Sequence, residues 1–224
     1  MKLLNLDEKV PEMFYIFIGQ GKTLSSQVNY HNYELGKKLI SSGFSSLFAQ
    51  SEFMNQFIEG DIVYAPFVPN NTTLHSPSSH QLNVVNGYQT EYILEYTRDK
   101  YYKKYPSRLS CLYAFGDYES CEKANKLYKW DLSKVKKFKL KTFNNDLDKC
   151  IKIVKCNMEI VTLMWNSEII TFEKDSIDRI SRAYWDGINL VATEQMNIAD
   201  RLYTQKVSDT LYEYLIEGIL EEVE

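Results

Sequence analysis

Two hydroxyls and a guanidinium stand at the entrance of an apolar run in the middle of the chain. Ser107, Arg108 and Ser110 follow Pro106, and residues 111–115 have the length and composition of a buried strand. Polar groups at the edge of a core need partners, and an arginine fork matches a carboxylate or a phosphate. The step predicts either an anion or nucleotide site or a strand entrance held by ordinary side-chain hydrogen bonds.

A carboxylate near the end of the chain, Glu213, is the second candidate for chemistry. It lies in residues 211–218, whose composition predicts a late strand. Alternation along that strand puts Glu213 on the same face as Leu211 and Leu215. A carboxylate between two leucines indicates either that this face lines a wet cleft or that Glu213 has a partner.

Helices and short strands, which would position these residues, alternate along the chain. Apolar residues at helical spacing predict helices at residues 32–42, 51–59, 88–105, 117–128, 159–165 and 175–184. Runs rich in aromatic and β-branched residues predict strands at residues 13–18, 62–67, 111–115, 136–142 and 211–218. Residues 150–156 fit a strand or a helix, and their β-branched residues favour a strand. The combination is typical of a mixed helix and sheet protein.

We expect the elements to form a single domain over residues 1–224. Residues 68–87 are rich in Pro, Ser, Asn and Thr and predict a loop longer than most in compact domains. Residues 188–209 read as an insertion with helical character over residues 192–202.

The composition is that of an ordinary globular protein. The chain has 224 residues, of which 44% are hydrophobic and 25% charged, with 17 Tyr, 11 Phe and 3 Trp. No apolar run approaches the roughly 20 residues that span a bilayer, so we expect no membrane association. The acidic beginning argues against a secretory signal, and we expect a cytoplasmic protein.

The cysteines and histidines predict neither disulfides nor a metal centre. The four cysteines contain no Cys-x-x-Cys pair, and we expect them to be reduced and mostly buried. His75 and His80 share the long loop, and His31 has no spaced carboxylate partner. A zinc site needs three or four convergent ligands, so we predict no metal.

Charge is segregated along the chain. The net charge of −4 argues against a generally basic surface that coats nucleic acid, but residues 98–104 and 134–141 are basic and contain aromatics. Such segments hold phosphates and bases in some proteins and are solvated faces of helices or strands in others. Both readings stay open for these two segments.

Three motifs carry a resemblance to a known fold family. They are Tyr-Pro-Ser-Arg-Leu-Ser-Cys-Leu-Tyr-Ala-Phe at 105–115, Tyr-Trp-Asp-Gly at 184–187 and Tyr-Glu-Tyr-Leu-Ile-Glu-Gly at 212–218. In this order they resemble bacterial and phage-associated families with the ADP-ribosyltransferase fold. The resemblance covers roughly residues 90–220 and implies an α+β fold with split mixed or antiparallel β-sheets and flanking helices.

The resemblance also implies site residues. Glu213 matches the catalytic glutamate on a late strand, and Ser107 and Ser110 match the hydroxyl step of the sugar pocket. The remaining residues expected to bind the cofactor are Tyr15, Arg108, Tyr184 and Trp185.

The first strand departs from the family pattern. It carries neither the arginine nor the histidine that such folds usually place there. Either Arg98 or Arg108 supplies the missing cation, or the site has lost transferase activity.

The expected function is therefore a mono-ADP-ribosyltransferase that uses NAD as substrate. Its acceptor would be a macromolecule, with nucleic acid slightly favoured over protein. A toxin or phage-defence effector with an antitoxin or regulatory partner is the implied setting. The alternatives are a non-catalytic nucleotide- or partner-binding protein on the same fold and an NAD hydrolase.

Overall fold

The computed structural model describes part of the chain. The described residues are 1–19, 29, 33, 38–42, 90–91, 93–108, 110–142, 151–166, 174–189, 197–198, 201–202 and 210–224. The predicted helix at 51–59, the strand at 62–67 and the loop at 68–87 lie outside them.

Four helices and nine strands are present among the described residues. The helices are α1 (residues 93–101, preceded by helical residues 90 and 91), α2 (Tyr118–Tyr128), α3 (Met158–Asn166) and α4 (Lys174–Trp185). The strands are β1 (Phe14–Phe17), β2 (Leu39–Ser41), β3 (Leu112–Ala114), β4 (Val135–Leu140), β5 (Lys152–Asn157), β6 (Asn197–Ile198), β7 (Arg201–Leu202), β8 (Tyr212–Glu217) and β9 (Ile219–Glu222). A 3-10 turn at Leu132–Lys134 leads into β4.

The strands form two main antiparallel sheets. The four-stranded sheet has the order β1-β4-β9-β2, and the three-stranded sheet has the order β3-β8-β5. Only Gly218 separates β8 from β9, so the end of the chain passes from one sheet into the other. Tyr15 and Phe115 exchange two backbone hydrogen bonds of 2.8 Å, which join β1 to the end of β3. The α+β prediction is confirmed.

The three-stranded sheet is covered on both faces because its side chains alternate between two cores. Ile216 and Leu112 belong to the core that includes residues of the four-stranded sheet, such as Phe14 and Phe138. Leu215 belongs to the core that includes α3 and α4 residues. A buried sheet of this kind reads as a nearly continuous apolar run, which explains why residues 111–115 and 212–216 were recognisable.

Most predicted elements near the site are confirmed, with shifts at their ends. The strands expected at 13–18, 111–115, 136–142, 150–156 and 211–218 and the helices expected at 117–128, 159–165 and 175–184 all form. The helix expected at 88–105 ends at residue 101. Gly187 follows α4 with φ 67°, which is the left-handed position expected after a helix.

Two helix predictions are wrong: the one at 32–42 only in its second half, since residue 33 is helical, and the one at 192–202 in all its described residues. In place of the C-terminal half of the helix at 32–42, β2 pairs with β9, and Ile40 lies fully buried opposite Leu220. Within the predicted helix at 192–202, β6 and β7 pair across two intervening residues. In both cases backbone pairing outweighs a weak local helix preference, because propensity is readily overridden by tertiary context.

Cysteine burial agrees with expectation where it is described. Cys111, Cys121 and Cys156 are buried and free, and Cys150 lies outside the described residues. Burial raises the pKa of Cys111 and Cys156 well above the ordinary range, so both thiols are protonated and inert. Within the described part of the chain, no helix has the length and apolarity needed to cross a bilayer.

Candidate functional site

Arg108 lies in a tight turn between α1 and β3. The backbone N–H groups of Ser110 and Cys111 donate to the carbonyl of Ser107 at 3.1 and 2.8 Å, and the Tyr113 hydroxyl donates to the carbonyl of Arg108. Pro106 disfavours a helical residue before it, which separates this turn from α1. The turn sends the Arg108 side chain inward, where only 4% of it is exposed.

The Arg108 guanidinium lies between two buried carboxylates. Its Nε and Nη2 donate to the two oxygens of Glu91 at 2.8 and 2.9 Å, in a bidentate pair. Its Nη1 donates to Glu213 Oε1 at 2.9 Å and also to the Tyr184 hydroxyl. The Tyr184 hydroxyl in turn donates to Glu213 Oε1 at 2.8 Å. We call Glu91, Arg108, Tyr184 and Glu213 the buried ionic cluster.

The buried ionic cluster contains two carboxylates and one guanidinium. Burial alone would lower the pKa of Arg108, but Glu91, the neighbouring tyrosines and Glu213 together raise it well above its ordinary value. Burial raises the pKa of Tyr184 and Tyr113 well above the usual range, so both hydroxyls stay neutral donors. The cluster therefore contains one more carboxylate than it has cationic partners.

Strand β8 positions Glu213. Glu213 lies opposite Cys156 of β5 and, as alternation predicts, on the helix-facing side together with Leu215. The sequence left open whether this carboxylate has a partner or lines a cleft, and it does both. It is bound by Arg108 and Tyr184, and it also lines an open cleft.

The cleft lies beside the junction of β1 and β3 and has aromatic walls. Its lining contains Tyr15, Phe17, Tyr113, Phe115, Trp130 and Glu213. Asn29, whose side chain pairs with both backbone groups of Tyr113, also lines it. Aromatic walls with one buried carboxylate suit a flat ring that carries positive charge or a hydroxyl donor.

The predicted binding residues fall into separate places. Tyr15 and Glu213 share the cleft, whereas Arg108 and Tyr184 lie behind Glu213 in the buried ionic cluster. Trp185, the last residue of α4, is fully buried, and its Nε1 donates to the Leu94 carbonyl of α1 at 2.8 Å. It does not line the cleft.

Ser107 and Ser110, the two hydroxyl residues expected in the sugar pocket, lie away from the cleft, and Ser107 contacts α1. The Ser107 hydroxyl donates to Glu95 Oε1 at 2.8 Å, and the same oxygen accepts from Arg98 Nε at 2.8 Å. Ser110 contributes its backbone N–H to the turn. Neither Ser107 nor Ser110 lines the cleft.

Sequence reasoning missed Glu91, Glu95 and Asn29. Glu91 and Glu95 are four residues apart, which puts both carboxylates on one helix face. The fully buried side chain of Leu94 lies on the same helix face. Two carboxylates at this spacing shortly before a Ser-Arg step were a signal for an arginine partner. Asn29 lies far from the other motifs in the sequence and carried no comparable signal.

The second basic segment is paired with the acidic end of the chain. Lys139 lies opposite Glu221 in the β4–β9 register, and Lys139 and Lys141 pair with Glu221 at 3.5 and 3.7 Å. Lys136 pairs with Glu222 at 3.3 Å. These lysines are partly exposed, and each pairs with a glutamate of β9. Among the described residues there is also no cluster of three or more groups that could hold a metal ion.

Comparison with known families identifies the chain. A family model described as "Protein of unknown function (DUF2441)" matches residues 18–224. The chain belongs to the DUF2441 family. All four residues of the buried ionic cluster lie inside the matched range, whereas Tyr15 precedes it. A comparison with curated proteins found no match for this DUF2441 chain.

Proposed function

We propose that this DUF2441 protein is an NAD-dependent mono-ADP-ribosyltransferase with an ADP-ribosyltransferase-like fold. The observation that carries the proposal is the position of Glu213. Its carboxylate lies on a late strand and lines an aromatic cleft, and Arg108 and Tyr184 hold it from behind. The split antiparallel sheets agree with the fold that the sequence motifs resemble.

The chemistry of the cleft suits one end of NAD. Cleavage of the nicotinamide–ribose bond builds positive charge on the sugar, as glycoside hydrolysis does. A fixed carboxylate stabilises that charge and accepts a hydrogen bond from a sugar hydroxyl. The nicotinamide leaves with the bonding electron pair, and the acceptor nucleophile forms the new bond and loses its proton. The aromatic walls, Tyr15 among them, would contact the flat ring.

A macromolecular acceptor fits the surface around α1. Tyr101 is 42% exposed, with Lys100 Nζ 4.6 Å and the Arg182 guanidinium carbon 5.0 Å from its ring centroid. An exposed ring with two cations close to it supports nucleic acid ahead of protein as the acceptor. A toxin or phage-defence role with an antitoxin or regulatory partner remains part of this proposal.

A non-catalytic nucleotide-binding protein is the second candidate. The Glu213 side chain is only 6% exposed and is ion-paired to Arg108, as in many structural pairs. Strand β1 also carries neither arginine nor histidine. This candidate predicts NAD or nucleotide binding without turnover.

NAD consumption by wild type and the Glu213→Gln variant tests the proposal. Glutamine keeps the shape of the side chain but removes its charge, and we expect a rate loss on the order of 10²–10³. Glu217→Gln is the matched control. Glu217 lies on the same strand, but it does not line the cleft, and its carboxylate pairs with Lys152 Nζ at a distance of 2.9 Å.

The outcomes separate the candidates. Turnover that requires Glu213 supports the transferase, and label that is recovered in nuclease-sensitive material identifies a nucleic-acid acceptor. Turnover without any labelled acceptor indicates an NAD hydrolase. Binding without turnover supports the second candidate, and neither binding nor turnover overturns both.

A further inference from the structure

We propose that Glu91 is a positioning residue for Glu213 and acts through the guanidinium of Arg108. This inference rests on the proposed function, since it assigns Glu91 a part in the same site. Glu91 lies in none of the three sequence motifs that indicate the fold. Its role follows from how the hydrogen bonds of Arg108 are divided between two carboxylates.

Glu91 accepts hydrogen bonds from two guanidinium nitrogens of Arg108, Nε and Nη2. Both of its oxygens are used, at 2.8 Å to Nε and 2.9 Å to Nη2, and a bidentate pair fixes the plane of the guanidinium. Only Nη1 is then directed at Glu213, and it reaches Oε1 alone. Tyr184 donates to the same oxygen. Arg108 and Tyr184 therefore both donate to the same Glu213 oxygen, Oε1.

The other oxygen of Glu213 is consequently left for the cleft. Among the residues that the structure describes, none donates a hydrogen bond to Oε2, although Glu213 as a residue is only 5% exposed. A buried carboxylate oxygen without a partner is costly and is satisfied when a ligand donates to it. Glu213 also lines the cleft, so a donor bound there completes its hydrogen bonding.

Without the charge of Glu91, the arginine would have a single carboxylate partner. A buried guanidinium prefers two parallel bonds to one carboxylate, so Glu213 would turn and give Arg108 both oxygens. The oxygen for the ligand would be lost while the fold remained. Glu91 itself does not line the cleft, and its side chain is 4% exposed, so it acts on the ligand only through Arg108.

The Glu91→Gln variant tests this role by steady-state NAD consumption. Glutamine keeps the size and one acceptor oxygen but removes the charge. We expect kcat to fall about 10- to 100-fold, as for outer residues that orient metal ligands. KM should change less than kcat, because the positive charge that Glu213 stabilises develops only in the transition state, and this split separates positioning from substrate binding. Glu217→Gln should keep both constants.

A second variant covers the case in which Glu91→Gln does not fold, as judged by its melting temperature. Glu91→Asp keeps the charge but is one methylene shorter, so it should pull Arg108 away from Glu213 and lower kcat with a smaller change in KM. An unchanged kcat in a folded Glu91→Gln, or in Glu91→Asp when only that variant folds, overturns the inference.

Crystal structures of wild type and Glu91→Gln (Glu91→Asp if only that variant folds) distinguish failure of this inference from failure of the proposed function. If wild type does not consume NAD, the proposed function fails, and the geometry of Glu213 decides the inference alone. We expect Arg108 to bind one Glu213 oxygen in wild type, both in Glu91→Gln and neither in Glu91→Asp. The same single contact in wild type and variant overturns the positioning role.

Discussion

Arg108 connects α1 to β8 through Glu91 and Glu213, and it is the residue on which the buried ionic cluster depends. Removing one partner of a buried ion pair leaves an uncompensated charge, which costs far more than the pair contributes when intact. The two carboxylates make Arg108 unusually sensitive in this respect, because neither has another cationic partner among the described residues.

We therefore expect Arg108→Met to lower the free energy of unfolding by about 3–5 kcal/mol, the range for breaking a buried pair. Lys152→Met is the matched control, since it breaks the pair with Glu217 whose side chains are 35% and 37% exposed. That change should cost about 0–1 kcal/mol. Urea unfolding at neutral pH measures both. Equal losses for the two variants would contradict the central role of Arg108.

At the scale of elements, a glycine follows α4 and another separates β8 from β9, but only one of the two positions requires glycine. Gly187 has a left-handed φ of 67°, and a Cβ there would lie 2.6 Å from the Lys155 carbonyl oxygen. Gly218 has ordinary space, because a Cβ would lie 3.5 Å from Ile151. Only the first position excludes a side chain.

Gly187→Ala should destabilise the protein by at least about 1–2 kcal/mol, the cost of a left-handed non-glycine residue, with the carbonyl contact added to it. Gly218→Ala should lie within about 0.5–1 kcal/mol of wild type, because glycine in a strand is itself unfavourable. Thermal and urea unfolding of the two variants compare them directly. A larger loss for Gly218→Ala would show that the turn between the sheets, not the end of α4, is the constrained point.

At the scale of the whole molecule, two cores share one three-stranded sheet, and tyrosines are distributed through and around them. Burial raises the pKa of Tyr102 and Tyr214 to about 12 in each case. It also raises that of Tyr113 and Tyr184 well above the ordinary value. The folded protein therefore keeps phenolic protons that the unfolded chain releases near its usual pKa of about 10.

Stability should consequently fall as pH rises above about 10. Groups whose folded pKa is raised contribute stability that is fully present below the unfolded pKa, and it is lost between about 10 and about 12 for Tyr102 and Tyr214. Urea unfolding across this range, together with phenolate absorbance, measures the effect. The double variant Tyr102→Phe, Tyr214→Phe should show a weaker pH dependence, and a free energy of unfolding independent of pH would contradict the prediction.

The sequence by itself determined the elements that have strong local signals. Residues 111–115 were recognisable as a strand because a sheet buried on both faces favours an apolar run, and residues 212–217 because their aromatic and aliphatic residues are interrupted only by Glu213 and Glu217. The helix over residues 118–128 carried its own cap, since the Asp117 side chain accepts from the Ser120 N–H. Alternation in β8 also predicted that Glu213 shares a face with Leu215.

Only the tertiary structure decided how the chemical groups combine. The pairing of Arg108 with Glu91 and Glu213 joins residues 17 and 105 positions apart, and no local pattern encodes such a distance. The same holds for β2, where pairing with β9 replaced a predicted helix. Side-chain spacing specifies which face a residue occupies, but packing between distant elements determines its partner. The Ser-Arg step was thus recognisable as polar from the sequence, and its carboxylate partners only from the fold.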